Sequence, residues 1–272
     1  MAALSLSLVR AMVEALERGE RICLATVTRA HGSTPQGAGA RMLRYADGRT
    51  LGTVGGGRIE QAVCDELERC AREGGSRTLV WDLTRDLGMC CGGRMEVFVE
   101  VLEATDRLLL FGAGHVGQAT ARVARGAGFR VCVVDPREEL NSEERFGECE
   151  RLVLEPDEGL RALMPTPRDF VLIATHDHTL DERALGCALR APHRYIGMIG
   201  SRRKVLRVLE RLEARHGKLD LSRLYAPVGL AIGALGPEEI AISIVAELIA
   251  RRRSVDAGHM SMVSELVRRG ER

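Results

Sequence analysis

The chain has 272 residues, with 39 Lys and Arg against 38 Asp and Glu, a formal net charge of +1. That length allows two modest domains or one large one, and a near-neutral charge gives no electrostatic footprint for DNA, RNA or an anionic membrane surface. The 45% hydrophobic fraction is ordinary for a globular protein with a sizeable core.

The amino-terminal stretch places Leu8, Val9, Met12, Val13 and Leu16 at helical spacing over residues 4–18. Arg10, Glu14 and Glu17 interrupt it, so it lacks the apolar centre of a signal peptide. The run IAISIVAELIA near the other end is too short to span a bilayer and contains Glu247. A soluble, cytoplasmic protein is expected, and its eight cysteines are expected to be reduced.

RICLATVT (21–28) reads as a strand, and HGSTPQGAG as a loop in which Ser33, Thr34 and Gln36 offer hydrogen bonds. Asp47-Gly48 between ARMLRY and RTLGTV is a hairpin signal. Gly55-Gly56-Gly57 then opens an amphipathic helix with Glu60 in its first turn. Two readings stand for that turn: an anion-binding helix terminus, or glycines that simply let the chain bend sharply. TLVWDL and RMEVFVEVL add two strands. Between them lies Cys90-Cys91-Gly92-Gly93, where flanking glycines leave the thiols unshielded for thiolate or soft-metal chemistry; buried packing is the alternative.

From residue 105 the pattern changes. LLLFGAG, FRVCVVD, DFVLIATH (169–176) and YIGMIG (195–200) are apolar strands alternating with helical stretches. This predicts a doubly wound parallel sheet. Gly112-Ala-Gly114-His115-Val-Gly117 matches G-x-G-x-x-G between a strand and a helix, and Asp135 ends the next strand. In a dinucleotide site that acid receives the ribose hydroxyls, which would favour NAD; otherwise it caps a turn. His176, Asp177 and His178 follow the strand DFVLIA, at the carboxyl end where ligands gather in such sheets. Loop hydrogen bonding, ligand contact and metal binding all remain open for them. Ser201 can cap the next helix, whose first turn holds Arg202, Arg203 and Lys204. Cations are unfavourable there, so either an anion compensates them or the turn is solvated beside acidic neighbours.

The fold class expected is α/β: a small N-terminal α/β domain over 1–104, a Rossmann-like doubly wound domain over 105–253, and a tail over 254–272.

Taken in order, GSTPQGAGARML, DGRTLGTVGGGRIE, CGGRMEVFVE, LLLFGAGHVGQA, VVDPRE, ATHDHTLD, YIGMIGSRRK and PVGLAIGALGPEEIAISIVAEL resemble the xanthine dehydrogenase accessory family (XdhC/CoxI) over roughly residues 8–250. The resemblance implies a maturation factor that binds molybdenum cofactor, in plain or dinucleotide form. It would protect the cofactor during sulfuration by a cysteine desulfurase and assist insertion into a xanthine dehydrogenase-type apoenzyme. Self-association as a homodimer is implied, without turnover of its own. By the same resemblance Cys91 would meet the metal, Gly92 and Gly93 would complete its motif, and Gly55, Gly56, Gly57 and Glu60 fall on the family's glycine-rich turn. Gly112, Gly114, His115, Gly117, Asp135, His176, Ser201 and Arg202 complete the candidate cofactor-binding set. Arg58 stands where many members carry a cysteine. The competing reading is an NAD(P)-dependent oxidoreductase, with His115 and His176 as proton-transfer candidates. A third is a redox-sensing regulator that reads a nucleotide and oxidises Cys90 and Cys91.

Overall fold

Alternating side chains divide β1 (Ile22–His31) between two layers. Ile22 and Leu24 face one cluster, with Leu8 and Ala15 of α1 (Leu6–Glu17). Cys23, Ala25 and Val27 face the other, with Ile59, Val63, Leu67 and Cys70 of α2 (Gly57–Glu73). This is the period-two rule of a strand covered on both faces. The computed structural model describes residues 5–90 and 92–258. Cys91 and the end of the expected tail, 259–272, lie outside those residues.

The chain divides into two units, with the boundary between Thr105 and Asp106. In the first, β2 (Arg41–Arg44), β3 (Thr50–Gly52), β4 (Ser76–Asp82) and β5 (Arg94–Leu102) join β1 in an antiparallel sheet of order β3-β2-β1-β5-β4. α2 forms because Ile59, Val63, Leu67 and Cys70 recur on one face. It stops at Gly74, with φ of 77°.

The second unit is a six-stranded parallel sheet. Its strands are β6 (Arg107–Phe111), β7 (Arg130–Val134), β8 (Glu150–Leu152), β9 (Phe170–Ile173), β10 (Tyr195–Met198) and β11 (Leu224–Tyr225). The order β11-β10-β9-β6-β7-β8 runs outward in both directions from β6 and β9. Chain direction reverses its march across the sheet between those two strands, which makes a crevice at their carboxyl ends. α3 (His115–Gly126), α6 (His178–Ala188), α7 (Arg202–His216) and α8 (Pro237–Arg253) are the long helices; α4 (Glu143–Phe146) and α5 (Pro156–Leu163) are short. The sheet is apolar on both faces, with Leu108, Leu110, Val131 and Val133 in one core and Leu109, Phe111, Cys132 and Val134 in the other. A parallel sheet buried on both sides requires such continuous apolar strands. No helix of the described residues is long and apolar enough to cross a membrane.

Candidate functional sites, one in each unit

In the first unit three loops converge at one end of the antiparallel sheet. The loop after β1 packs on the loop before β5. A Cβ on Gly93 would fall 2.4 Å from the Ser33 carbonyl oxygen and 2.7 Å from Thr34 Cγ2. The turn before α2 packs on the first loop: a Cβ on Gly55 would stand 2.6 Å from Pro35 Cγ. Arg58 closes the triangle, its Nη1 donating to the Leu87 carbonyl at 2.9 Å. Gly92, with Thr84 Oγ1 beside it, and the exposed Cys90 sit on the third loop. That loop returns to its start through hydrogen bonds from Leu83 N–H to Gly93 O and from Met89 N–H to Leu83 O.

The glycine turn before α2 is a sharp bend with open space beside two of its glycines. Gly55, Gly56 and Gly57 all have positive φ, and a Cβ on Gly56 or Gly57 would meet nothing within 4 Å. Glu60 folds back on this turn. Its carboxylate accepts from Gly56 N–H at 3.1 Å and from the Thr53 hydroxyl, which in turn accepts from Gly55 N–H. Glu60 therefore takes part of the helix N-terminus as its own cap. Arg58 serves as the strut to the third loop.

Every described cysteine is a free thiol, and among them Cys90 is the exposed one. Burial pushes the thiols of Cys23 and Cys70 upward. Burial, reinforced by a hydrogen bond to Glu150, drives Cys132 up to about 12. Such thiols stay protonated and unreactive. Among the described residues no three His, Cys, Asp or Glu side chains are grouped to hold a metal ion. Cys91, the expected metal contact, lies outside the described residues.

In the second unit the G-x-G-x-x-G residues have three different duties. Gly112 lies against β9: a Cβ there would fall 2.1 Å from the Ala174 carbonyl oxygen, at φ of 123°. Gly117 lets α3 close on the turn, because a Cβ would fall 2.0 Å from the Gly112 carbonyl oxygen. Gly114 caps α3, and a Cβ there would meet nothing within 4 Å. Gly114 is thus the position at which the backbone is open to a ligand. His115 begins the helix and is exposed.

Asp135 is 2% exposed, and its carboxylate is fully engaged within the protein. One oxygen accepts from Arg137 N–H at 3.0 Å and from Arg137 Nε at 2.9 Å. The other accepts from Ala113 N–H and from Arg137 Nη2, each at 2.7 Å. Burial alone would raise this carboxyl, but the hydrogen bonds from Arg137 and Ala113 outweigh it and hold the pKa below the usual carboxylate range.

The turns after β9 and β10 are tied together. Asp181, 1% exposed, accepts from the Thr175 N–H and hydroxyl at 3.2 and 2.7 Å and from the Lys204 ammonium. Lys204 also donates to the Ile199 carbonyl at 3.2 Å. The lysine in the basic first turn of α7 therefore finds its anion inside the protein. Ser201 caps α7 by accepting from Lys204 N–H, while Arg202 and Arg203 are exposed. Asp177 caps α6, accepting from Thr179 N–H and Leu180 N–H, and these bonds lower its pKa. His176 and His178 on either side are exposed.

The structure thus groups Gly55, Gly56, Gly57, Glu60 and Gly92 in the first unit. In the second, Gly112, Gly114, His115, Gly117, Asp135, His176, Ser201 and Arg202 lie along the carboxyl ends of the parallel strands. Sequence reasoning missed Arg137 and the strut role of Arg58. An arginine two residues beyond a strand-end acid, across Pro136, was the available signal for the first.

Comparisons with known proteins bear on both units. A family model described as the XdhC Rossmann domain matches residues 108–248, and one described as the XdhC and CoxI family matches residues 15–82. The chain is 37% identical over 257 residues to an uncharacterised protein, YqeB, of Escherichia coli K12, covering 91% of this chain and 47% of that protein. It is 24% identical over 280 residues to the molybdenum cofactor insertion chaperone PaoD of the same organism, covering 90% and 88% respectively. A crystal structure described as a xanthine dehydrogenase from Bacillus halodurans superposes with a TM-score of 0.52 at 26% identity, covering 92% of this chain and 98% of that one. The chain spans about half the length of YqeB.

Proposed function

This chain belongs to the XdhC and CoxI family, and from that premise we propose that it is a carrier of molybdenum cofactor for a xanthine dehydrogenase-type hydroxylase. The cofactor is its cargo. The chain holds it while a cysteine desulfurase sulfurates the metal centre, passes it to the apoenzyme, and turns over no substrate itself. We place it in the cytoplasm, acting as a homodimer.

The observation that carries this reading is the convergence of three loops in the first unit. They bring the open glycines Gly56 and Gly57, the Gly92-Gly93 backbone and the exposed Cys90 to one place. The donor set fits the cargo's chemistry. Backbone at a helix N-terminus suits an anionic group, and a thiol suits a soft metal. We assign the metal end to the Cys90–Gly93 loop, Cys91 included by family resemblance, and an anionic group to the Gly55–Gly57 turn. Glu60 shapes that turn by accepting from Gly56 N–H and the Thr53 hydroxyl. The relative named as a molybdenum cofactor insertion chaperone supports the same class of role.

The glycine turn of the second unit favours a second reading, an NAD(P)-dependent oxidoreductase. Deleting the gene separates the two. The carrier reading expects the partner hydroxylase to accumulate as protein with little sulfurated molybdenum cofactor and little activity. A fully loaded, fully active hydroxylase in the deletion strain excludes it.

A further inference from the structure

The end of β7 is where a doubly wound nucleotide site distinguishes ligands, because an acid there receives a ribose diol and an arginine receives a phosphate. This chain has both residues, two positions apart. A carboxylate has about four lone-pair sites. In Asp135 all four are used, by Ala113 N–H, Arg137 N–H, Arg137 Nε and Arg137 Nη2. A diol could bind only by breaking a charge-assisted, two-pronged pair.

What the position still offers is donors. Arg137 is 25% exposed, and of its five guanidinium N–H groups two point at Asp135. Nη1 has no hydrogen-bond partner among the described residues. A second guanidinium reaches the same turn: Arg145 Nη2 donates to the Ala113 carbonyl at 3.0 Å. Its Nε is buried without a partner among the described residues. Both backbone polar groups of Ala113 are thus held by the segment that follows β7, the N–H by Asp135 and the carbonyl by Arg145. The segment is itself fixed, since Asn141 donates to the Leu152 carbonyl at 2.9 Å. Glu139 lies near enough to favour the charge on Arg137, while Glu138 and Glu139 are both exposed.

We propose that this subsite binds a phosphate monoester and rejects an unmodified ribose diol, with Arg137 as the specificity-determining residue and Asp135 as the residue that positions it. This rests on the reading of the second unit as a ligand-binding site. It specifies the ligand's chemistry: a terminal phosphate, carried by a pyridine dinucleotide of the NADP type or by a pterin.

Calorimetric titration of the full chain tests it with defined probes. Adenosine 2′,5′-bisphosphate is compared with adenosine 5′-monophosphate, and 6-hydroxymethylpterin phosphate with 6-hydroxymethylpterin. The phosphorylated member of at least one pair is expected to bind roughly tenfold tighter or more, as a charge-assisted contact provides. Arg137→Ala is expected to erase the difference and Arg137→Lys to restore part of it, with circular dichroism showing both variants folded. A preference within the adenosine pair identifies a nucleotide, and one within the pterin pair identifies a phosphorylated pterin. Equal binding within both pairs, no binding of any probe, or a preference that survives Arg137→Ala overturns the proposal. None of these outcomes depends on cofactor loading of the hydroxylase, so failure here leaves the carrier reading to its own test.

Discussion

Replacing Gly117 by alanine is expected to destabilise the parallel-sheet unit by about 3 kcal/mol, at the upper end of overpacking costs. The added Cβ would fall 2.0 Å from the Gly112 carbonyl oxygen. That neighbour is backbone and cannot rotate aside. Either α3 moves off β6, opening the core around Leu110, or the Gly112–Ala113 peptide turns and loses the bond from Ala113 N–H to the Asp135 carboxylate at 2.7 Å. Gly114→Ala is the control. Its Cβ meets nothing within 4 Å and its φ of −68° suits any residue. Exchanging glycine for alanine at this cap should cost about 0.5–1 kcal/mol, well below the Gly117 effect, yet place a methyl group where a ligand would approach the backbone. Denaturant unfolding of the full chain, followed by a probe in the second unit, distinguishes the two. Equal stabilities for the two variants would contradict the different duties assigned to these glycines.

Removing the carboxylate at 135 should be nearly as costly. In Asp135→Ala the Ala113 N–H loses its acceptor inside the protein, and the Arg137 guanidinium loses its partner. Breaking a buried pair costs about 3–5 kcal/mol when the remaining charge is trapped. Arg137 is a quarter exposed and can reach water, so about 2–3 kcal/mol is the better expectation. The same group gives a pH dependence. Its folded pKa lies below the unfolded value, so its contribution is fully present above about pH 4 and declines as pH falls through the depressed folded value. Stability of the wild type should therefore fall more steeply below pH 4 than that of Asp135→Asn. Parallel curves in that window would show that the carboxylate is not held as described.

Much of this architecture was legible in the sequence. The strands of the second unit are continuous apolar runs, because a parallel sheet covered on both faces leaves no polar side to alternate. Asp47-Gly48 marked its turn correctly: Gly48 has φ of 89°, and Tyr45 N–H donates to the Arg49 carbonyl between β2 and β3. β8 and β11 were not legible. They have three and two residues, lie at the two edges of the sheet, and β8 reads Glu-Arg-Leu. An edge strand this short is specified by its neighbour's unpaired backbone more than by its own side chains. The helices α4 and α5, of four and eight residues, are too short for a periodic signal.

The candidate sites were legible in composition but not in allegiance. Gly112, Gly114 and Gly117 announce a turn, and the structure assigns each its reason. Asp135, Glu60 and Lys204 have residue types suited to ligands, and their charged atoms are spent on Arg137, on the Gly56 turn and on Asp181. Spacing in a sequence does not reveal whether a carboxylate is already occupied. That depends on which backbone N–H groups and cations the fold delivers to it.

The most direct test of the carrier reading is anaerobic loading of the purified full chain with molybdenum cofactor. Retained pterin is measured by fluorescence after oxidation, and retained molybdenum by elemental analysis, for the wild type, Cys90→Ser and Cys91→Ala. Near-stoichiometric pterin and molybdenum are expected on the wild type, with less molybdenum retained when the thiols of the third loop are removed. A wild-type protein that retains neither, and holds a nicotinamide nucleotide instead, would contradict the carrier reading.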